Sequence, residues 1–131
     1  MILLDASILI DPPMRWPGPV VGSSMLCLAE LEFGIHRAPD AASRSLRVQR
    51  MARYKAAFEW IPFEESDAAS YGVLAARVAR RRPAHARSAD IMIAAQALTL
   101  GVPLLTRHAR DFELVSYLVE ILDGNSPDAA P

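Results

Sequence analysis

Cysteine is almost missing from this chain. With Cys27 as the single one, neither a disulfide framework nor a cysteine-rich zinc site can be built. It lies in an apolar stretch and reads as a small core side chain. Lysine is equally scarce, since of 14 basic residues only Lys55 is not an arginine. Long apolar runs are absent as well: 52% of the residues are hydrophobic, yet no run approaches the ~20 residues of a membrane span. The opening Met-Ile-Leu-Leu-Asp has no basic stretch before its apolar residues and does not read as a signal peptide. The six glycines form no phosphate-cradling loop, which argues against a nucleotide-binding module. The expectation is one domain of 131 residues with a single core, no membrane contact and a reducing, cytoplasmic setting.

The net charge of −1 decides nothing about a nucleic-acid partner. The arginine bias suits RNA, because guanidinium groups grip phosphate bidentately and stack on bases. A GC-rich genome would produce the same bias.

Ile2–Leu4 is a short apolar run ending at Asp5, as a buried parallel strand would be. A helix can start near Ser7. Four prolines (Pro12, Pro13, Pro17 and Pro19) then impose a loop over 11–19. Val20–Gly22 reads as a second strand, with Ser23 or Ser24 capping a helix over "MLCLAELEFGIHR". Further helices are predicted over 40–58, 65–81 (burying Ala69, Val73 and Ala76) and, capped by Ser88, from Ala89 to Gly101. Strands are predicted over 60–63, 102–105 and 117–122, and the tail 123–131 reads as disordered. Strands alternating with helices indicate a three-layer α/β/α sandwich around a central parallel sheet, occupying residues 1–122. Ligands in such sheets bind beyond the carboxyl ends of the strands.

Three acids stand out. Asp5 follows a strand, Asp90 lies in the first turn of an apolar helix, and Glu30 sits among Leu26, Cys27, Leu28, Ala29, Leu31 and Phe33, where burial is expected. Each has an ordinary explanation: a turn residue, a helix N-terminal acid, or a partner of Arg87 or Arg107. Gathered at one sheet edge they would be costly, since two carboxylates ~5 Å apart repel by roughly 3 kcal/mol at an effective dielectric near 20. A divalent cation with oxygen ligands removes that cost, can activate water and neutralises charge on a phosphate.

At these residues the sequence resembles the PIN-domain ribonucleases, specifically the VapC-type toxins of bacterial toxin–antitoxin pairs. The resemblance rests on "LLDASILI", "SSMLCLAELEFGI" and "RSADIMIAAQALTLGVPLLTRHARDFE", and spans nearly the whole chain in order. It implies an α/β/α sandwich that cuts RNA with Mg²⁺ or Mn²⁺. Asp5 and Asp90 would be the main metal ligands and Glu30 a third acid, with Ser7 and Thr106 lining the site. It also implies a homodimer silenced by a cognate VapB-type antitoxin. Two features depart from the family pattern. His108 stands where an Asp or Asn is usual after Thr-Arg, leaving Asp111 as a partial substitute, and the proline-rich loop shortens the interval between Asp5 and Glu30.

The densest basic segment, "ARVARRRPAHAR", carries Arg77, Arg80, Arg81, Arg82 and Arg87 towards Asp90. It reads either as a phosphate-steering patch or as a solvated helix end. The stripe Arg44, Arg47, Arg50 and Arg53 reads as a solvent face or an antitoxin contact rather than an RNA clamp. A dehalogenase-like phosphatase would need Asp-x-Asp where this chain has Asp5-Ala6-Ser7, and a response-regulator receiver would need a late lysine. The competing reading of another class is a PIN fold that binds RNA or antitoxin without cutting.

Overall fold

A computed structural model describes residues 1–126. Its centre is a five-stranded sheet in the order β3-β2-β1-β4-β5, every pairing parallel. The strands are β1 (Ile2–Leu4), β2 (Val20–Ser24), β3 (Glu59–Ile61), β4 (Leu104–Thr106) and β5 (Ile121–Asp123). β1 and β4 are buried at every residue whereas β3 and β5 are half-exposed. That gradient explains why only the central strands read as uninterrupted apolar runs.

From β1 the chain moves through β2 to β3 in one direction, then returns to β4 and continues to β5 in the other. Right-handed crossovers therefore put the first helices on one face and the later ones on the opposite face. The packing agrees: α1 (Ala6–Ile10), α2 (Met25–His36) and α3 (Ala41–Ala57) contact one another in sequence. On the other face α4 (Glu65–Ala79) packs on α5 (Pro83–Ala86) and α6 (Ala89–Leu100), and a 3₁₀ helix (Ala109–Val115) joins them. The predicted three-layer sandwich is the fold. Among the described residues no helix is long and apolar enough to cross a membrane.

Local chemistry explains the boundaries. Ser24 caps α2 by accepting the Leu26 N–H at 3.0 Å, while Ser23 stays in β2 and donates to the Leu4 carbonyl at 2.7 Å. Gly101 closes α6 at φ 68°, a left-handed conformation that suits glycine. Gly22 has φ 148°, and a Cβ there would collide with the Glu59 carbonyl oxygen, so glycine lets β2 and β3 pair.

Several sequence expectations are corrected. α4 does not bury Ala69, Val73 and Ala76; Val73 is 54% exposed, and the inward face is Asp67, Leu74 and Val78. Asp67 is tolerated inside because its carboxylate accepts the Glu64 N–H at 2.8 Å. Both α5 and the 3₁₀ helix lie in stretches where no helix was predicted. Pro83 occupies the first turn of α5, where a missing N–H costs nothing. The last strand begins at Ile121 rather than Tyr117 because the 3₁₀ helix and its following turn occupy the intervening chain. The expected disordered tail also starts too early: Asp123 closes β5, the Gly124 N–H donates to the Thr106 carbonyl at 2.7 Å, and Asn125 binds the Arg107 carbonyl at 2.8 Å. Residues 127–131 of that tail lie outside the described residues.

Candidate active site

The strand order reverses between β1 and β4, and at such a switch point the crossovers diverge and leave a crevice above the carboxyl ends. Asp5 follows β1 and Thr106 ends β4, so both flank that crevice. Asp5 is buried and occupies the N-cap position of α1, but its side chain does not cap the helix. Its Oδ2 instead accepts the Ser7 hydroxyl at 2.7 Å and the Thr106 hydroxyl at 2.8 Å. Those hydroxyls are themselves aimed from behind: Ser7 Oγ accepts the Arg107 N–H and Thr106 Oγ1 accepts the His108 N–H, each at 3.0 Å. Both side-chain bonds fall on one oxygen, and among the described residues Oδ1 accepts none.

Asp90 and Glu30 face this centre from the two helical layers. α6 runs back towards β4, so its first turn, with half-buried Asp90, lies at the carboxyl edge of the sheet. Glu30 is in the second turn of α2, roughly 8 Å along the axis from its start at 1.5 Å per residue. The expected burial of Glu30 is wrong. α2 turns only Cys27, Leu31 and Ile35 inward, leaving Phe33 67% exposed and Glu30 exposed beside the crevice. An apolar composition all round a helix does not enclose it when only one stripe meets the sheet.

Electrostatics nevertheless tie the three acids together. Desolvation, then the Asp5 and Asp90 charges, push the Glu30 carboxyl above the ordinary carboxylate range. Asp90 is likewise raised, by desolvation first and then by Asp5; Asp111 adds to the rise while His85 and His108 oppose it. Neither acid has an ion-pair partner among the described residues. Arg107, one of the arginines considered for Glu30, is committed elsewhere. It donates to the carbonyls of Asp11, at 3.0 and 2.8 Å, and of Gly124, at 2.7 Å, tying the loop after α1 to the end of β5. Cys27, nearby, is a core thiol that burial pushes up to about 12.

The fourth side of the crevice is formed by the 3₁₀ helix. His108 is exposed at its start and Asp111 is half-buried in its first turn. Sequence reasoning missed His85, whose Nε2 lies 2.8 Å from the Asp111 carbonyl oxygen and joins α5 to this helix. Nothing in its spacing marks it, because the contact depends on α5 forming after Pro83. Arg80, Arg81, Arg82 and Arg87 are exposed on the segment leading to Asp90. In the other arginine stripe Arg44 and Arg53 face solvent, but Arg47 and Arg50 turn inwards and donate to the Gly34 and Ile10 carbonyls at 2.5 and 3.0 Å. They line a cavity of about 460 Å³ that also touches Glu30, Leu31, Met51 and Tyr54.

Among the described residues no three His, Cys, Asp or Glu side chains converge as a closed metal cage. The donor set still suits a hard divalent ion, since Mg²⁺ takes one or two carboxylates and fills its remaining positions with water and phosphate. Among the described residues Asp5 Oδ1 has no donor, and Asp90 and Glu30, whose carboxyls are raised by partial desolvation and by neighbouring acids, gain from a positive charge beside them.

A doubly wound parallel sheet with an acidic crevice at its switch point defines the class: an α/β protein with an oxygen-donor centre. The PIN domain family profile matches residues 2–116. The chain belongs to the PIN-domain family. Among solved structures it is similar to a chain of VapBC-5 from Mycobacterium tuberculosis, a member of the VapBC family of toxin–antitoxin systems. The TM-score is 0.78 at 26% identity, covering 92% of this chain and 96% of that one. VapBC2 from Rickettsia felis, bound to a DNA fragment from their promoter, gives 0.75 at 18% identity, with 94% and 98% covered. FitAcB from Neisseria gonorrhoeae gives 0.72 at 24%, with 95% and 98% covered. At those lower identities the last two speak for the fold alone. No curated protein matches the sequence.

Proposed function

We propose that this PIN domain is a metal-dependent endoribonuclease, the toxin of a toxin–antitoxin pair, hydrolysing RNA phosphodiester bonds with Mg²⁺ or Mn²⁺. The observation that carries the reading is the electrostatic coupling of Asp5, Glu30 and Asp90 at the switch point, with no arginine or lysine ion-paired to them among the described residues. Asp5 and Asp90 are assigned as the principal ligands and Glu30 as a third acid that holds the ion or a water. The ion would supply an activated water and neutralise charge developing on the phosphate.

The chain's own residues do the positioning. Ser7 and Thr106 fix Asp5 through its Oδ2, which leaves Oδ1 for a ligand. Asp111, which raises Asp90 while His108 lowers it, is the better candidate for the fourth acid, and His108 is left to contact phosphate or pass a proton. Arg80, Arg81, Arg82 and Arg87 steer RNA towards the site. The similarity to VapBC-5 supports a VapB-type antitoxin as partner. A homodimer working in the cytoplasm completes the proposal.

The test is endonucleolytic cleavage of cellular RNA by antitoxin-free protein at millimolar Mn²⁺. Cleavage should stop with chelator and with Asp5→Ala or Asp90→Ala, and intact RNA at every Mn²⁺ concentration refutes the reading. One observation favours a second reading, a binding module: three acids do not converge as a cage, and His108 stands in the usual acid position. Such a module would bind RNA or antitoxin but gain little thermal stability from Mn²⁺, with or without Asp5 and Asp90.

A further inference from the structure

Away from the acids, the C-terminal end of α4 and the end of the 3₁₀ helix enclose a second concavity. It measures about 300 Å³ and is lined by Arg77, Arg80, Arg81 and Leu114. Three guanidinium groups around one opening repel each other, yet among the described residues none has an ion pair or a side-chain hydrogen bond. Arg77 is nevertheless held in place, its guanidinium carbon 4.0 Å from the centroid of the Tyr117 ring. A cation stacked on an aromatic face gives up side-chain freedom in advance, and it keeps its outer face and N–H edges free for a ligand. Tyr117 itself is 47% exposed, so part of its ring is also available.

We infer that this concavity is a seat for the phosphodiester backbone of single-stranded RNA, outside the acidic crevice, with the Arg77–Tyr117 stack as its platform. The inference deepens the proposed ribonuclease reading by naming where the strand is held beyond the cut. Charge complementarity calls for a polyanion, and the planar cation on an aromatic ring favours nucleic acid over an acidic peptide, because bases and guanidinium planes stack. The volume, about ten times a water's ~30 Å³ share of the liquid, admits a phosphate together with its sugar. The same segment continues through Arg82 and Arg87 to Asp90, giving the backbone a basic path to the crevice.

The experiment measures affinity of the full chain for a 12-nucleotide single-stranded RNA by fluorescence anisotropy across a salt series, in EDTA so that nothing is cut. Each phosphate neutralised on a single strand contributes about 0.7 to the slope of log affinity against log salt. The triple variant Arg77→Gln, Arg80→Gln, Arg81→Gln, which empties a seat for one phosphate, should therefore lower the slope by about 0.7. Tyr117→Ala should lower it by less than the triple variant does, and Tyr117→Phe, which keeps the ring, should restore it. Circular dichroism would confirm that each variant is folded. An unchanged slope in the triple variant overturns the seat, even if the protein cuts RNA. A reduced slope in a protein that cuts nothing with Mn²⁺ keeps the seat and removes the ribonuclease. Loss of binding to an oligoglutamate peptide, with the RNA slope intact, overturns the seat in favour of an acidic protein partner.

Discussion

Thr106→Val isolates the hydroxyl that holds Asp5. The substitution keeps the shape of a fully buried side chain at the end of β4 and removes one oxygen. That oxygen donates to Asp5 Oδ2 at 2.8 Å and accepts the His108 N–H at 3.0 Å. Loss of a hydrogen bond to a charged acceptor costs about 1.5–3 kcal/mol, and stranding the part-buried His108 amide adds about 1 kcal/mol. The sum, about 2–4 kcal/mol, is a large part of a stability of about 5–15 kcal/mol. For a domain of this size it corresponds to a fall in Tm of roughly 6–15 °C. Thermal unfolding in chelator reads the loss directly, and Thr106→Ser, which retains the hydroxyl, should recover most of it. Ser7→Ala removes the second donor to the same oxygen, so the double variant should depart from additivity by more than about 0.5 kcal/mol. If Thr106→Val melts within about 2 °C of the parent in chelator, the hydroxyl does not hold Asp5 and the preorganisation argument fails.

Asp90 and Glu30 should behave in the opposite sense. Both carboxyls are raised by desolvation and by neighbouring acids, so the folded chain binds their protons more tightly than the unfolded chain does. Metal-free stability is then fullest below the ordinary carboxyl value near 4 and is lost as pH rises through the raised values. Asp90→Asn and Glu30→Gln should flatten that decline and raise Tm at pH 8 in chelator; variants that melt lower than the parent there refute the charge-crowding account. Arg107→Lys should destabilise by about 2 kcal/mol, because one ammonium cannot span the Asp11 and Gly124 carbonyls that the guanidinium joins; a Tm equal to the parent's would count against this tie. Cys27, buried and pushed up to about 12, should resist a thiol reagent at pH 8 until the chain unfolds, with roughly one thiol in 10⁴ ionised. Rapid labelling of native protein would contradict that.

What was legible in the sequence follows from which forces act locally. β1 and β4 read as strands because a central parallel strand is apolar on both faces, and α6 because a serine before it and a glycine after it mark its ends. The positions of Asp5 and Asp90 at the ends of their elements were legible for a related reason: each polar side chain interrupts an apolar run at an element's end. The exposure of Glu30 was not legible, since the composition of α2 cannot say which stripe meets the sheet. The inward face of α4 was misplaced by about 150° of rotation at 100° per residue, nearly the opposite face, because alanine-rich turns leave the phase to tertiary packing. His85 depends on a four-residue helix and a contact across 26 residues, and no local pattern encodes either.

The three acids are prepared to different degrees. Asp5 is held by two hydroxyls, each oriented by a backbone amide, and its geometry does not depend on a ligand. Asp90 has the positive end of α6 to offset its desolvation, a weaker and less directional support. Glu30 has no side-chain hydrogen bond among the described residues, sits away from a helix terminus and remains exposed. Binding of a cation should therefore begin at Asp5, recruit Asp90 and order Glu30 last, because a group with no other restraint loses the most freedom on ligation. Affinity should then fall in the order Asp5→Asn, Asp90→Asn, Glu30→Gln, with the first the most damaging. Calorimetric Mn²⁺ titration of the three variants tests the ranking, and a Glu30→Gln loss as large as that of Asp5→Asn would reverse the argument.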